Sequence, residues 1–206
     1  MSATSIKLQS ASFRDMLKRK PHMRSLAGLD YWVLPGVYKG ATDTELLCNA
    51  MKVKRGEEVW DIGTGTGFVA LWAKKKGAGY VLATDKNPAA LKNAKKNSKF
   101  LKLKIDVRRA DVFGTIKKKF DVITCNPPFT DRAARKNHEM NFWDKGNRAV
   151  KNFFKGLAGH LKPDGRALIC WSSFGGTRRL KNIAREYNVA GETILHIKNK
   201  RSWSHV

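Results

Sequence analysis

The fold is decided by one stretch of the chain, Glu58-Val59-Trp60-Asp61-Ile62-Gly63-Thr64-Gly65-Thr66-Gly67. Residues 58–62 form a short, mostly apolar strand, and the glycines make a turn into a helix predicted over 68–76. Glycine adopts positive φ and lets a ligand approach the backbone closely, and the first turn of a helix has free N–H groups. In an open α/β sheet, ligands collect at the carboxyl ends of the strands. The stretch therefore predicts a parallel α/β fold with a ligand at the turn.

The glycine spacing narrows the class of ligand. It is G-x-G-x-G, and Phe68 stands where a dinucleotide fingerprint has its third glycine, which argues against a nicotinamide or flavin enzyme. Asp61, directly before the turn, would repel a diphosphate but could hold a cationic or amine-bearing ligand, directly or through water. We therefore expect a ligand without a charged diphosphate.

An acidic residue ends the second predicted strand, Tyr80–Thr84. This residue, Asp85, lies 22 positions after Gly63, where nucleotide-binding sheets usually hold a ribose diol. Asn87 is a suitable N-cap and Pro88 a suitable first residue for the helix that follows. That helix exposes lysines at helical spacing, which we interpret as a solvated face: Lys92, Lys95, Lys96 and Lys99.

A third acid follows the third predicted strand, Leu103–Arg109. Asp111 can accept a hydrogen bond from an adenine amino group, with Val112 and Phe113 against the ring. Together with the two acids above, it completes a series of carboxylates at successive strand ends around one glycine turn.

The sequence Asn126-Pro127-Pro128-Phe129 follows the apolar run Phe120–Cys125, which is predicted to be a buried parallel strand. An asparagine amide can accept from a substrate N–H group and donate through its own NH₂. Consecutive prolines have fixed φ and no N–H donors, and the phenylalanine offers a flat face for stacking. The motif therefore suits a planar NH₂ group held by acceptors and stacked on a ring.

These segments, in order, resemble the motifs of class I S-adenosylmethionine-dependent methyltransferases: Val59–Gly67, Thr84-Asp85, Ala110-Asp111-Val112 and Asn126–Phe129. The subgroup with an Asn-Pro-Pro-aromatic motif methylates planar nitrogens, namely adenine N6, guanine N2 or a glutamine side-chain amide. The segment 161–165 is similar to the family's Leu-Lys-Pro-Gly-Gly turn before the fifth strand, with Asp164 replacing one glycine. The resemblance covers roughly residues 42 to 173.

The resemblance implies S-adenosyl-L-methionine as cofactor and no metal. It assigns cofactor contacts to Asp61, Gly63, Thr64, Gly65, Gly67, Asp85, Lys86, Asp111 and Val112. It assigns the acceptor nitrogen to Asn126, Pro127, Pro128 and Phe129. Within the first set, the residues before Asp85 would surround the methionine part, Asp85 would hold the ribose, and Asp111 would hold the adenine amine.

The resemblance also implies the architecture, a Rossmann-like α/β fold with helices on both faces of a seven-stranded, mostly parallel sheet. The last strand would be antiparallel, and we place the closing pair at Val189–Ile197 and Arg201–Val206. Residues 41–206 are expected to form the methyltransferase domain. Residues 1–40 are expected to be an extension packed on it, with a short helix around Phe13–Arg19 and then an irregular stretch. Asp43 is predicted to cap the helix before the first strand.

Composition bounds the partners. The 206 residues carry a formal charge of +24, which favours a polyanion, and RNA or a ribosomal particle is the expected one. Three scattered cysteines without metal-ligand spacing predict reduced thiols and a cytoplasmic protein. No apolar run reaches the length of a membrane span, so no membrane contact is expected.

Basic residues are also expected near the acceptor motif. Residues 129–147 leave from that motif and are predicted to form a lid or substrate loop. A further segment, 174–179, should emerge on the same side and open the next helix. Four arginines in these two segments are predicted to hold a nucleic-acid substrate: Arg132, Arg135, Arg178 and Arg179.

Two alternatives stand beside an RNA acceptor. The segment from Gly40 to Leu47 looks like the Asp-Thr-Glu segment of release-factor glutamine methyltransferases, which makes a protein acceptor an alternative. Those enzymes usually have tyrosine where Phe129 stands, and the bacterial ones have a larger helical N-terminal domain, so we favour RNA. The other alternative is a non-catalytic RNA-binding module on the same scaffold.

Overall fold

The computed structural model describes residues 16–135, 137–172 and 175–191 of the chain. Within these ranges, five parallel strands form the central sheet: β3 (Glu58–Ile62), β4 (Tyr80–Asp85), β5 (Asp106–Arg109), β6 (Phe120–Cys125) and β7 (Leu161–Ile169). Their spatial order is β5-β4-β3-β6-β7. The chain winds outward on one side of β3 and then returns to its other side, so β3 and β6 flank the point where the order reverses. Ligands bind at the carboxyl ends of the strands at such a point.

A two-stranded antiparallel hairpin precedes the sheet, and α-helices separate or follow the strands. The hairpin comprises β1 (His22–Leu26) and β2 (Leu29–Val33). The helices are α1 (Thr42–Ala50), α2 (Phe68–Lys75), α3 (Pro88–Leu101), α4 (Arg148–His160) and α5 (Thr177–Glu186). The predicted α/β class with helices on both faces of a parallel sheet is confirmed.

Two apolar cores cover the two faces of the sheet, because side chains alternate along each strand. On β3, Val59 packs with the hairpin, α1 and α2, whereas Trp60 packs with α4 and α5. His160, at the end of α4, packs on the same face of the sheet as Trp60, and its ring stacks on Phe113 at a centroid distance of 4.1 Å. His160 is therefore a packing residue of this core.

The hairpin contradicts one prediction, since residues 22–33 were expected to be irregular. Ala27 and Gly28 adopt positive φ angles of 46° and 73°, which is the geometry of a tight primed hairpin turn. Alternate residues of β2 are buried, and Leu29, Tyr31 and Val33 reach the core. The alternation of buried and exposed side chains therefore determines the structure of this segment, although glycines and a proline lie nearby.

Two fully buried asparagines on α3 bond the hairpin to the domain. Asn97 accepts from the N–H of Trp32 at 2.7 Å and donates to the carbonyls of Trp32 and Thr66, both at 2.8 Å. Asn93 donates to the same Trp32 carbonyl at 2.8 Å and accepts from Leu34 N–H at 2.8 Å. These bonds link β2, α3 and the glycine turn, since Thr66 lies in that turn.

Several predicted boundaries are confirmed and others move. The strands at 58–62 and 120–125 and the cap of α3 at Asn87 agree with the sequence. The third strand begins at Asp106 instead of Leu103, and Ala41, not Asp43, occupies the N-cap of α1. Residues 161–165, predicted as a turn, belong to β7, whose register shifts between the partners of Phe120 and Val122.

The proposed closing strand pair lies almost entirely outside the described residues, which end at 191. The predicted helix at 13–19 is described only from Met16, and residues 16–18 are helical. Of the helices in the described ranges, none has the length and apolar character needed to cross a membrane.

Replacing Asn97 by Ala should lower the free energy of unfolding by about 1 to 3 kcal/mol, because the Trp32 N–H and the Thr66 carbonyl lose their bonds to this side chain. Urea unfolding measures this change. The matched control is Asn152→Ala, an exposed asparagine on α4, which should change stability by less than about 0.5 kcal/mol. Equal effects of the two substitutions would contradict a stabilising role for the buried amide.

Candidate active site

The glycine turn lies at the carboxyl end of β3, beside β4. The N–H groups of Gly63 and Thr64 both donate to the Thr84 carbonyl, at 2.8 and 2.9 Å. Gly63 has φ of 71°, and a methyl group on it would meet no atom within 4 Å, so the space above the turn is open to a ligand. A methyl group on Gly67 would lie 2.9 Å from Ala94, which shows that this glycine allows α2 and α3 to pack closely.

Asp61 is buried below the turn and is bonded on both carboxylate oxygens. Thr64 Oγ1 donates to one oxygen at 2.6 Å, and Thr124 Oγ1, on β6, donates to the other at 2.8 Å. Burial raises the pKa of Asp61 from 3.8 to about 6, and the two threonine hydroxyls oppose that rise. The carboxylate therefore joins the turn to the strand before the Asn-Pro-Pro-Phe motif. Its contact with a cofactor amine stays a prediction.

Asp85 ends β4 beside the turn and organises it from the other side. Its Oδ2 accepts from Gly65 N–H at 3.0 Å, and its Oδ1 accepts from Asn87 N–H at 2.9 Å. Burial raises the pKa of Asp85, and these two backbone donors oppose the rise. A carboxylate has about four acceptor positions. Asp85 can therefore accept ribose hydroxyls in addition to its two backbone bonds.

A pocket of about 340 Å³ lies next to Asp85. Its walls are Lys86, Pro88, Arg109, Ala110, Asp111 and Met140. The Asp111 carboxylate is half exposed and pairs with Arg148 at 2.8 Å and Lys86 at 3.9 Å. Val112 is buried with φ of 55°, an unfavourable angle for a β-branched residue, and such strain is concentrated at functional sites.

The residues of this edge fit the cofactor implied by the sequence. There is open space above Gly63, a carboxylate at Asp85 suited to a diol, and a pocket with an acid at Asp111 suited to an adenine. The structure brings all the predicted cofactor residues to the ends of β3, β4 and β5. Their individual contacts with S-adenosylmethionine stay predictions.

The acceptor motif lies at the carboxyl end of β6, which pairs directly with β3. The ring of Phe129 meets Trp171 edge to face, with centroids 6.3 Å apart and planes at 73°. A methyl group on Gly175 would come within 2.9 Å of both side chains, so this glycine lets the chain pass close to the aromatic pair. Trp171 is the last residue of the predicted fifth strand, Arg166–Trp171, and lies two residues past the end of β7; the sequence did not mark it as a site residue.

Tyr38 and Asp43 were also missed as site residues. The Asp43 carboxylate accepts from Asn126 Nδ2 at 2.7 Å and from the Tyr38 hydroxyl at 2.9 and 3.1 Å. The Tyr38 carbonyl also lies beside Gly65, 3.9 Å from where a methyl group on it would be. Tyr38, before α1, thus lies beside the glycine turn, and Asp43, in the first turn of α1, contacts the acceptor motif.

The predicted substrate loop folds back on itself and packs against the domain. Thr130 and Trp143 form an isolated β-bridge at its base, and 3₁₀ turns cover Asn137–Asn141 and Lys145–Asn147. Phe142 meets Tyr38 edge to face at 5.5 Å. The loop is therefore anchored beside the acceptor motif.

The four predicted arginines lie in the two predicted segments and differ in their contacts. The guanidinium of Arg132 lies 4.5 Å from the centre of the Trp143 ring, and Arg179 forms an ion pair with Asp131. Arg135 and Arg178 are exposed. A groove of about 690 Å³ opens here, with walls that include Asp131, Lys151, Gly175, Arg178 and Arg179.

Strand order, glycine turn, acids at successive strand ends and the Asn-Pro-Pro-Phe motif together define a class I S-adenosylmethionine-dependent methyltransferase. The methyltransferase small domain family matches residues 29–194, which is most of the chain. The chain therefore belongs to the methyltransferase small domain family, and the resemblance inferred from the sequence is confirmed.

Relatives within this class differ in acceptor. A Methanocaldococcus jannaschii protein, provisionally named a protein N5-glutamine methyltransferase, is 32% identical over 84% of this chain and 91% of its own. Ribosomal RNA small subunit methyltransferase C of Haemophilus influenzae is 32% identical over 89% of this chain and 58% of its own. The T. thermophilus 16S rRNA guanine-N2 methyltransferase, solved with AdoMet and guanosine, has 25% identity and a TM-score of 0.64, covering 82% of this chain and 45% of its own.

Asp61 should make stability depend on pH in a defined window. Because its pKa is about 6 in the folded protein and near 3.8 when unfolded, folding takes up a proton between these values. Its contribution to the free energy of unfolding should therefore fall by about 2 kcal/mol as pH rises from 4 to 7. Urea unfolding of the wild type and Asp61→Asn across this range measures the difference.

The control for this experiment is Asp30→Asn, an exposed acid on β2. Its difference from the wild type should stay nearly constant with pH. If the difference in free energy of unfolding between the wild type and Asp61→Asn is also independent of pH, the Asp61 carboxyl has the same pKa in the folded and unfolded states, and the prediction is wrong.

Proposed function

We propose that the protein transfers a methyl group from S-adenosylmethionine to the exocyclic amino group of a base in RNA, guanine N2 or adenine N6. The observation that supports this most is the position of Asn126–Phe129 beside the glycine turn on adjacent strands. A base amino group held at this motif would face a methyl donor bound over the turn.

The chain itself needs to do little chemistry. S-adenosylmethionine supplies an electrophilic methyl group on its sulfonium. An aromatic amine is a poor nucleophile because its lone pair is delocalised into the ring. Hydrogen bonds from its two N–H groups to Asn126 Oδ1 and the Pro127 carbonyl would favour a pyramidal nitrogen with a localised lone pair. As the nitrogen–carbon bond forms, the bond between the methyl group and sulfur would break with its electron pair left on sulfur, and the methylated nitrogen would lose one N–H proton to water.

The remaining rate enhancement would come from the alignment of the acceptor nitrogen with the methyl group. Holding the nitrogen in line with the methyl group converts a bimolecular step into an effectively unimolecular one. Phe129 would stack on the base, and Trp171 supports that ring from the side. Asp85 would hold the ribose of the cofactor, and the pocket at Asp111 would hold its adenine.

The charge distribution supports RNA as the acceptor. A chain with 41 lysines and arginines against 17 acids carries a strong positive field, and phosphate contacts supply much of the affinity for nucleic acid. Arg178 is exposed in the wall of the groove, and Arg135 is exposed in the loop that follows the acceptor motif. Relatives named as ribosomal RNA methyltransferases and a neighbour solved with guanosine support the same acceptor class.

A protein glutamine is the second candidate, and one observation favours it. The relative provisionally named a glutamine methyltransferase matches over 91% of its length, whereas the ribosomal RNA relative extends well beyond this chain. A glutamine amide presents the same planar NH₂ group as a base. The two acceptors would therefore use the same contacts at Asn126 and Pro127 and differ in what the outer surface recognises.

Incubation with methyl-labelled cofactor tests the acceptor. Ribosomal RNA, transfer RNA and a release factor are each supplied separately, and we expect label in one of the RNAs. Asp85→Ala should abolish labelling and weaken cofactor binding at least about tenfold, since the ribose acceptor is lost. Label in the release factor alone would establish the glutamine reaction. Cofactor binding without labelling of any acceptor would support a non-catalytic module.

Charge reversal tests the phosphate contacts. The variant changes four arginines to glutamate: Arg132, Arg135, Arg178 and Arg179. We expect at least about tenfold weaker binding to ribosomal RNA and a salt slope reduced by about 3, since each contact with a single strand contributes about 0.7. Filter binding across a salt series measures both quantities.

The matched control for charge reversal has the same change in net charge elsewhere. It changes four lysines on the exposed face of α3 to glutamate: Lys92, Lys95, Lys96 and Lys99. This control should weaken binding less and keep more of the salt slope. Equal losses in the two variants would show that net charge, not the arginine surface, determines RNA binding.

A further inference from the structure

We infer that Asp43 is the positioning residue of the acceptor site, because it fixes the orientation and the hydrogen-bond strength of the Asn126 amide. The inference rests on the proposed function of Asn126 as the acceptor of a substrate N–H group. It assigns a role to Asp43, in the first turn of α1, which the sequence predicted as a helix cap and as part of a segment similar to one in release-factor glutamine methyltransferases.

The geometry determines which way the Asn126 amide points. A carboxylate is only an acceptor, so the NH₂ end of the amide must face Asp43, and the two groups are 2.7 Å apart. The amide oxygen then points away from Asp43 and can accept from a substrate amine. With the amide reversed, two acceptors would meet and the substrate would be offered a donor.

The carboxylate also affects how well the amide accepts. A hydrogen bond from an amide N–H to an anion is charge-assisted and draws electron density toward the amide oxygen. That oxygen becomes a stronger acceptor for the substrate N–H, whose acidity increases as the nitrogen is methylated. The benefit is therefore greater in the transition state than in the bound substrate.

Other bonds hold Asp43 in place. The Tyr38 hydroxyl donates to both of its oxygens, at 2.9 and 3.1 Å. Burial and the Asp43 carboxylate raise the pKa of Tyr38 well above its usual range, so the hydroxyl stays a donor. Gly40, between Tyr38 and Asp43, is closely packed, since a methyl group on it would lie 3.3 Å from Tyr31 Oη and Thr44 Oγ1. The carboxylate is thus preorganised before any ligand binds.

The first test separates positioning from stability. Asp43→Asn keeps the shape but removes the charge, and should lower kcat by about 10- to 100-fold. The KM for the acceptor and the cofactor affinity should change by less than about twofold. The melting temperature should change by no more than a few degrees. Glu45→Gln, an acid in the same helical turn, is the matched control and should stay near wild type. A loss confined to melting temperature or cofactor affinity would overturn the inference.

The second test asks whether Asp43 acts through Asn126. In a double-mutant cycle, Asp43→Asn should cost little once Asn126→Ala has been made, because the group it positions is gone. Full multiplication of the two losses would show independent action and overturn the inference.

A spectroscopic test needs no turnover. In protein labelled with ¹⁵N-asparagine, the Asn126 side-chain NH₂ signal is identified by its absence in Asn126→Ala. We expect this signal downfield and protected from exchange in the wild type, and shifted toward ordinary values in Asp43→Ala. An unchanged signal would overturn the inference. Failure of the wild type to methylate any acceptor would instead overturn the proposed function, and the two failures are distinguishable.

Discussion

The buried carboxylate of Asp61 joins the two halves of the site. One of its oxygens holds Thr64 in the glycine turn, and the other holds Thr124, two residues before Asn126. Burying a carboxylate without a cationic partner is unfavourable, and its pKa of about 6 reflects that cost. The buried carboxylate therefore costs stability near neutral pH, but it fixes the position of the glycine turn relative to the acceptor motif. A methyl donor over the turn can face a nitrogen at Asn126 only if that relative position is kept.

Features that the sequence predicted correctly have local causes. The strands at 58–62 and 120–125 are short apolar runs that end in a glycine turn or in Asn126-Pro127. The start of α3 was also predictable, since Asn87 accepts from Ala89 N–H within its own turn. In each case the residues that determine the structure are neighbours in the chain.

Features that the sequence did not predict depend on distant partners. Trp32 bonds to Asn97, 65 positions later, and nothing near residue 32 indicates that contact. Asp43 has the residue type of an N-cap, but its carboxylate is taken by Asn126, 83 positions away. Asp61 was expected to face a ligand, yet both of its oxygens are used within the protein. An acid at a strand end marks a site without showing which partner it takes.

The distribution of charge agrees with a cationic donor and a polyanionic acceptor in one molecule. Four of the 17 acids, Asp43, Asp61, Asp85 and Asp111, gather around the inner site of a chain with a formal charge of +24. A negative interior attracts a sulfonium and repels phosphate, while the outer arginines attract phosphate. An RNA bound this way would keep its backbone at the rim and could place only an uncharged base at Asn126. The same field would admit a neutral glutamine amide, so recognition of the acceptor must come from the rim and not from the inner site.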